Sequence, residues 1–171
     1  ISKTDRCYKL GVHIADVSHY VPRGCKIDEE AFYRGTSIYY ADQVVPMLPK
    51  QLSNGICSLN PQVDRLAFSC LMEVSFQGKL LNYRFEKSVI RSRVKGVYSE
   101  VNKIIDGTAD EEIKAKYARV IDRIPIMREL AEILEKNRIE RGAPEIDTSE
   151  TKIITDENGV CIDVKPRTTG I

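Results

Sequence analysis

Two histidines and a carboxylate share one short stretch, GVHIADVSHYV, with His13, Asp16 and His19 at three-residue intervals. Such residue types suggest a metal site. Helical zinc motifs, however, place their ligands on one helix face at i and i+4. Here the run from Tyr8 to Val17 is rich in β-branched and aromatic residues and reads as a largely buried strand. At a period of two, His13 and His19 share a face and Asp16 points to the other, so the three do not converge. They read instead as core or rim residues, with Asp16 hydrogen-bonded to nearby backbone. Cys57 sits in ICSLN without an adjacent base, and no Gly-x-Ser-x-Gly elbow, Walker loop or Gly-x-Gly-x-x-Gly is present. A third chemistry lies where aromatics meet cations. Arg34 precedes Tyr39 and Tyr40 in RGTSIYYADQ, and Arg91, Arg93 and Lys95 precede Tyr98 in IRSRVKGVYSEV. Tyrosine rings beside cations suit stacking on single-stranded bases with phosphate neutralisation. By spacing alone the plainer alternative, packed tyrosines beside a solvated charged face, is favoured.

The elements that position these residues alternate without a βαβ rhythm. Pro22-Arg23-Gly24 ends the first strand, and Asp28 reads as the N-cap of a short helix that stops before Gly35. Residues 36–50 run extended, since Pro46 and Pro49 forbid a regular helix, and 51–61 are irregular or a short helical turn. Arg65–Ser75 and Lys79–Ile90 flank Phe76-Gln77-Gly78 as an antiparallel hairpin. Val97–Ile105 is a short amphipathic helix. Asp110–Arg141 is the longest helical stretch, split or kinked at Pro125. Asn158-Gly159 signals a type I′ hairpin. The fold class is α+β, with a mixed or antiparallel sheet and packed helices.

The 171 residues suffice for one domain with a sizeable core. The formal net charge of +1 rules out a whole-chain positive field, so any basic surface is local. No apolar run approaches the roughly 18 residues of a membrane span. Five scattered cysteines without Cys-x-x-Cys spacing suggest a reduced, cytoplasmic protein with buried thiols. The chain opens on ISKTDRCYKLGV without an initiator Met and stops at KPRTTGI, and is read as a segment of a longer protein.

LGVHIADVSHYVPRG, IDEEAFYRGTSIYYADQVVPMLP and LSNGICSLNPQVDRLAFSCLMEV, in this order and spacing, resemble the catalytic domain of the ribonuclease II / ribonuclease R family, closest to its bacterial ribonuclease R branch. The resemblance covers nearly all of residues 1–171 and is strongest from Leu10 to Val74. It implies a partial catalytic domain, truncated at both ends, of a processive 3′→5′ exoribonuclease. Such enzymes hydrolyse single-stranded RNA to nucleoside 5′-monophosphates with magnesium or manganese. The family's four metal-binding aspartates lie upstream of the position matching Ile1, and its electrophilic arginine lies downstream of Ile171. The fragment alone is therefore expected to be inactive and to hold no metal. By the same resemblance Tyr39 matches the ring stacked on a terminal base, and Tyr98 matches a tyrosine near the last nucleotides and their ribose. Arg34, Arg91, Arg93 and Lys95 could line the channel to phosphates. The family's second stacking aromatic aligns near Ile146, which is not aromatic. Two other readings remain: a non-catalytic RNA-binding or scaffolding module of the same family, and a separate metallohydrolase built on His13, Asp16 and His19. If the chain is half a domain, an exposed apolar patch should mark the missing packing, and fragments could self-associate through it.

Overall fold

A computed structural model describes residues 1–41, 43–144 and 151–166. The chain divides into two compact units: residues 1–16 with 59–144, and residues 17–58 with 151–166. The class is α+β with antiparallel strand pairing throughout the named sheets.

The first unit is built on a four-stranded sheet of β1 (Ser2–Lys3), β2 (Tyr8–Ala15), β5 (Asp64–Val74) and β6 (Leu80–Arg91), in that spatial order. Tyr8, Leu10, Val12 and Ile14 pair with Val74, Met72, Cys70 and Phe68, and Tyr83 and Phe85 oppose Met72 and Cys70. Paired residues lie on one face of a sheet, so these side chains form a single apolar surface. Helix α5 (Ile124–Glu140) covers one end of it, where Leu130 packs against Tyr8 and Val74. The β5–β6 turn is pressed against this helix. A Cβ on Gly78 (φ 76°) would collide with Asn137 and Ile133, and the Asn137 amide donates to the Gln77 carbonyl at 2.7 Å. A second core joins α3 (Tyr98–Ile105), α4 (Glu111–Tyr117) and the start of α5 through Ile113, Tyr117 and Ile124. Pro125 stands in the first turn of α5, where its missing N–H costs nothing, so the long helical stretch is split before it by a 3₁₀ turn at Ile121–Arg123.

The second unit holds α1 (Val17–Tyr20), α2 (Lys26–Arg34), the hairpin of β3 (Ile38–Tyr39) and β4 (Val44–Val45), and a second hairpin of β7 (Thr151–Thr155) and β8 (Cys161–Pro166). Gln51–Ile56 forms a wide helical turn interrupted at Gly55.

Several expectations are corrected. The first strand ends at Ala15 rather than Val17: the Asp16 N–H closes on the Leu66 carbonyl at 3.1 Å, and the chain turns helical. That strand is not largely buried, since Val12 and Ile14 are 42% and 65% exposed. His13 and His19 therefore stand on different elements in different units, not on one strand face. Asp28 is not the N-cap of α2. The turn that brings the Cys25 N–H to the Pro22 carbonyl starts the helix earlier, with Cys25 at the cap, and Asp28 instead accepts the Gly24 N–H at 2.8 Å. The last hairpin is not type I′. Gly159 has φ 79° but Asn158 does not enter the left-handed region, and the Asp156 carboxylate accepts the N–H groups of Asn158 and Val160. Of the thiols only Cys7 is buried, and Cys161 is exposed.

Candidate nucleic-acid interface

In the second unit, Arg34 ends α2 and is followed by Gly35 in the left-handed conformation (φ 69°), whose N–H closes on Ala31 O. This stop turns the chain into the β3–β4 hairpin. The Arg34 guanidinium bonds Glu30 at 2.8 Å and the Pro46 carbonyl at 3.3 Å, while Ser37 Oγ accepts the Met47 N–H at 2.9 Å. The hairpin is thereby tied to the helix, with part of Arg34's donor capacity used inside the protein. The Tyr39 ring is 77% exposed on β3. Phe32 and Tyr33, 89% and 88% exposed, were not singled out from sequence. The signal was present: Ala31 is the buried residue of this helix, and Phe32 and Tyr33 follow it at 100° steps that turn them off its inward line.

In the first unit, the segment leaving β6 is braced on both sides. Arg91 pairs with Asp64 at 2.7 Å, a hydrogen bond that raises the guanidinium further and holds the carboxyl below the usual range. Gln62 donates its N–H to Ser92 O at 2.8 Å and its side-chain amide to Arg93 O at 2.9 Å. Arg93 and Lys95 project their side chains into solvent from this braced backbone. Tyr98, 86% exposed, is the first residue of α3. Its position is set by the residue before it, for the Val97 N–H donates to the Tyr117 hydroxyl at 2.9 Å. That hydroxyl donates to Glu100 at 2.7 Å, and Lys116 reaches the same carboxylate at 2.6 Å. Lys116 first and Tyr117 second hold the Glu100 carboxyl low, and burial pushes the Tyr117 phenol up. Tyr117 is thus a buried, protonated donor that anchors the base of Tyr98.

Tyr39 and Arg34 therefore belong to one unit, and Tyr98, Arg91, Arg93 and Lys95 to the other. The position near Ile146 lies outside the described residues. Asp16, 6% exposed, is matched by Lys87 at 3.3 Å. His13 Nδ1 meets the Ser69 hydroxyl at 2.6 Å, and Ser69 meets Ser88 at 2.6 Å. Ser69 is fully buried and so is no nucleophile for a substrate in solvent. Among the described residues no group of three or more His, Cys, Asp or Glu side chains could hold a metal ion, and no helix is long and apolar enough to cross a membrane. These surfaces can stack rings and attract phosphate, but they offer no donor set for the divalent ions that phosphoryl transfer employs.

The family described as the RNB domain matches residues 1–170. Ribonuclease R 1 of Lactococcus lactis is 51% identical over 164 residues, which cover 96% of this chain and 20% of that protein. Ribonuclease R of Thermotoga maritima is 48% identical over 165 residues, 96% of this chain and 23% of that protein. The solved structure of Mycoplasma genitalium RNase R in complex with ribose methylated single-stranded RNA superposes with a TM-score of 0.89 at 32% identity, covering 98% of this chain and 26% of that one. The chain thus spans a fifth to a quarter of the length of these relatives.

Proposed function

The chain belongs to the RNB-domain family, and from that premise we propose that it is the RNA-guiding part of a processive 3′→5′ exoribonuclease that releases nucleoside 5′-monophosphates from single-stranded RNA. The observation that carries the reading is the 51% identity to a ribonuclease R over 96% of the chain. Exposed, backbone-anchored Tyr39 and Tyr98 are in keeping with it.

In this reading Tyr39 stacks on a base near the 3′ end, and Tyr98 lies along the last ribose, where a protein can sense the 2′-hydroxyl. Arg93 and Lys95 neutralise phosphates. Arg34 contributes the donors that Glu30 and Pro46 leave unused, and Arg91, engaged with Asp64, contributes less. The described side chains do not fit a magnesium or manganese pair, so the ions are assigned to acidic residues outside this chain and no step is derived through them. The 171 residues alone should bind RNA without cleaving it. A cytoplasmic location is part of the proposal, on the strength of five cysteines that no disulfide links.

The test is incubation of the whole polypeptide with 5′-labelled single-stranded RNA and magnesium. Shortening from the 3′ end with 5′-monophosphate release is expected, and its failure would sink the enzyme reading. Monophosphate release by the 171 residues alone would overturn the assignment of the metal ligands elsewhere.

A further inference from the structure

The sheet of the first unit has an apolar face that α5 covers only in part. Beyond Leu10 and Met72 the same face continues through Val12 and Ile14 on β2, Phe68 on β5, and Phe85 and Val89 on β6, each between 42% and 65% exposed. The strip is ordered: the Phe68 and Phe85 rings stack at 5.8 Å and 8°, and Tyr83 meets Phe85 edge-on at 5.6 Å. Large, contiguous apolar patches of this kind mark interaction surfaces rather than ordinary solvent-facing sheet.

Its chemistry selects the occupant. Val12, Ile14 and Val89 have no π-face for a base to stack on. The Lys87 ammonium within the strip is neutralised by Asp16 at 3.3 Å, leaving no free charge there for a phosphate. The strip suits an apolar protein element. Its three strands set about 10 Å between the outer two, and an α-helix with its side chains is about 10–12 Å across. From the level of Cys70 to that of Leu66 the strip runs about 14 Å, which about nine helical residues would cover. The relatives matched are four to five times longer than this chain, which spans 20% and 23% of two of them.

We propose that this face is the docking surface for an amphipathic helix of the same polypeptide lying outside the 171 residues, laid beside α5 with its aliphatic stripe on Val12, Ile14, Phe68 and Phe85. The inference rests on the apolar face and on chain length, not on nuclease activity.

Cys70 provides the probe, since its half-buried side chain shares the strip with Val12 and Phe85. Alkylation of Cys70 by iodoacetamide, followed by peptide mass spectrometry, is compared between the whole polypeptide and a dilute, monomeric sample of the 171 residues. Reaction at least about ten-fold slower in the whole polypeptide is expected, as for a group reached only by local opening. The slowing should be independent of protein concentration and of RNA. Equal rates would overturn the proposal. So would protection that grows with concentration, which would make the occupant a second copy, and protection that appears only with single-stranded RNA, which would make it nucleic acid.

Discussion

The two units hold themselves together differently. The first buries Tyr8, Val74 and Leu130 in one cluster and Ile113, Tyr117 and Ile124 in another, all on elements of seven residues or more. In the second, Val21 and Ala31 are the buried apolar side chains among the described residues, and its two-residue strands carry Tyr39 in the open. Apolar burial contributes roughly 25 cal/mol per Å². The first unit therefore supplies its own stability, while the second displays aromatic rings with little core beneath them. Stability and ligand contact are assigned to different stretches of one chain, and substitutions should separate them.

The largest effect should come from Leu130→Ala. Leu130 is 2% exposed between Tyr8 and Val74, and truncation of such a residue costs about 2–5 kcal/mol. A denaturant midpoint unchanged by the substitution would contradict the view that this cluster holds the first unit. Next is Tyr117→Phe, which leaves the Val97 N–H and the Glu100 carboxylate each without one partner and should cost about 1–3 kcal/mol. Because it also loosens the residue before Tyr98, it should weaken RNA binding. Loss of stability without any change in binding would detach Tyr98 from the RNA.

Much of this contrast was legible in the sequence, for stated reasons. The alternation in RLAFSCLMEVS and the Phe76-Gln77-Gly78 turn identify the β5–β6 hairpin, and Pro125 marks the break before α5, because period and proline act locally. The end of β2 was not legible: HIADVSHY continues a strand-like composition, and only the tertiary bond from Asp16 to Leu66 stops it. The Asn158-Gly159 signal was local, yet the Asp156 carboxylate drew the turn into another form. At the candidate site the rings of Tyr39 and Tyr98 could be named from motifs. The Tyr117–Glu100–Lys116 support for Tyr98 spans 17 residues and has no sequence signature. Phe32 and Tyr33 were readable from the helix period once Ala31 is taken as the inward residue.

Tyr39→Ala reverses the pattern of Leu130→Ala. Exposed and outside any core cluster, Tyr39 should leave the unfolding midpoint within about 0.5 kcal/mol of wild type. RNA affinity should fall by about 1–3 kcal/mol, and the length of the final product should change. A stability loss with intact affinity would invert the assignment of roles. Acid offers a milder test. The Glu100 carboxyl is held below its ordinary value, so its contribution to stability is present above the usual carboxylate range and lost as pH falls through the depressed value. A Glu100→Gln protein should show a flatter fall of stability on acidification, and coincident curves would remove Glu100 from the support of Tyr98.

The smallest effect belongs to the exposed cations of the first unit. Arg93 and Lys95 leave the braced segment after β6 and are solvent-exposed, so removing either should leave folding unchanged. If each neutralises one phosphate, Arg93→Ala and Lys95→Ala should each lower the slope of log affinity against log salt by about 0.7, the value for one counterion released from a single strand. Affinity should drop by a similar amount for every RNA sequence, since phosphate contacts carry no base information. A slope identical to wild type in both variants would return them to the solvated face of the first unit and leave Tyr98 to meet the RNA without them.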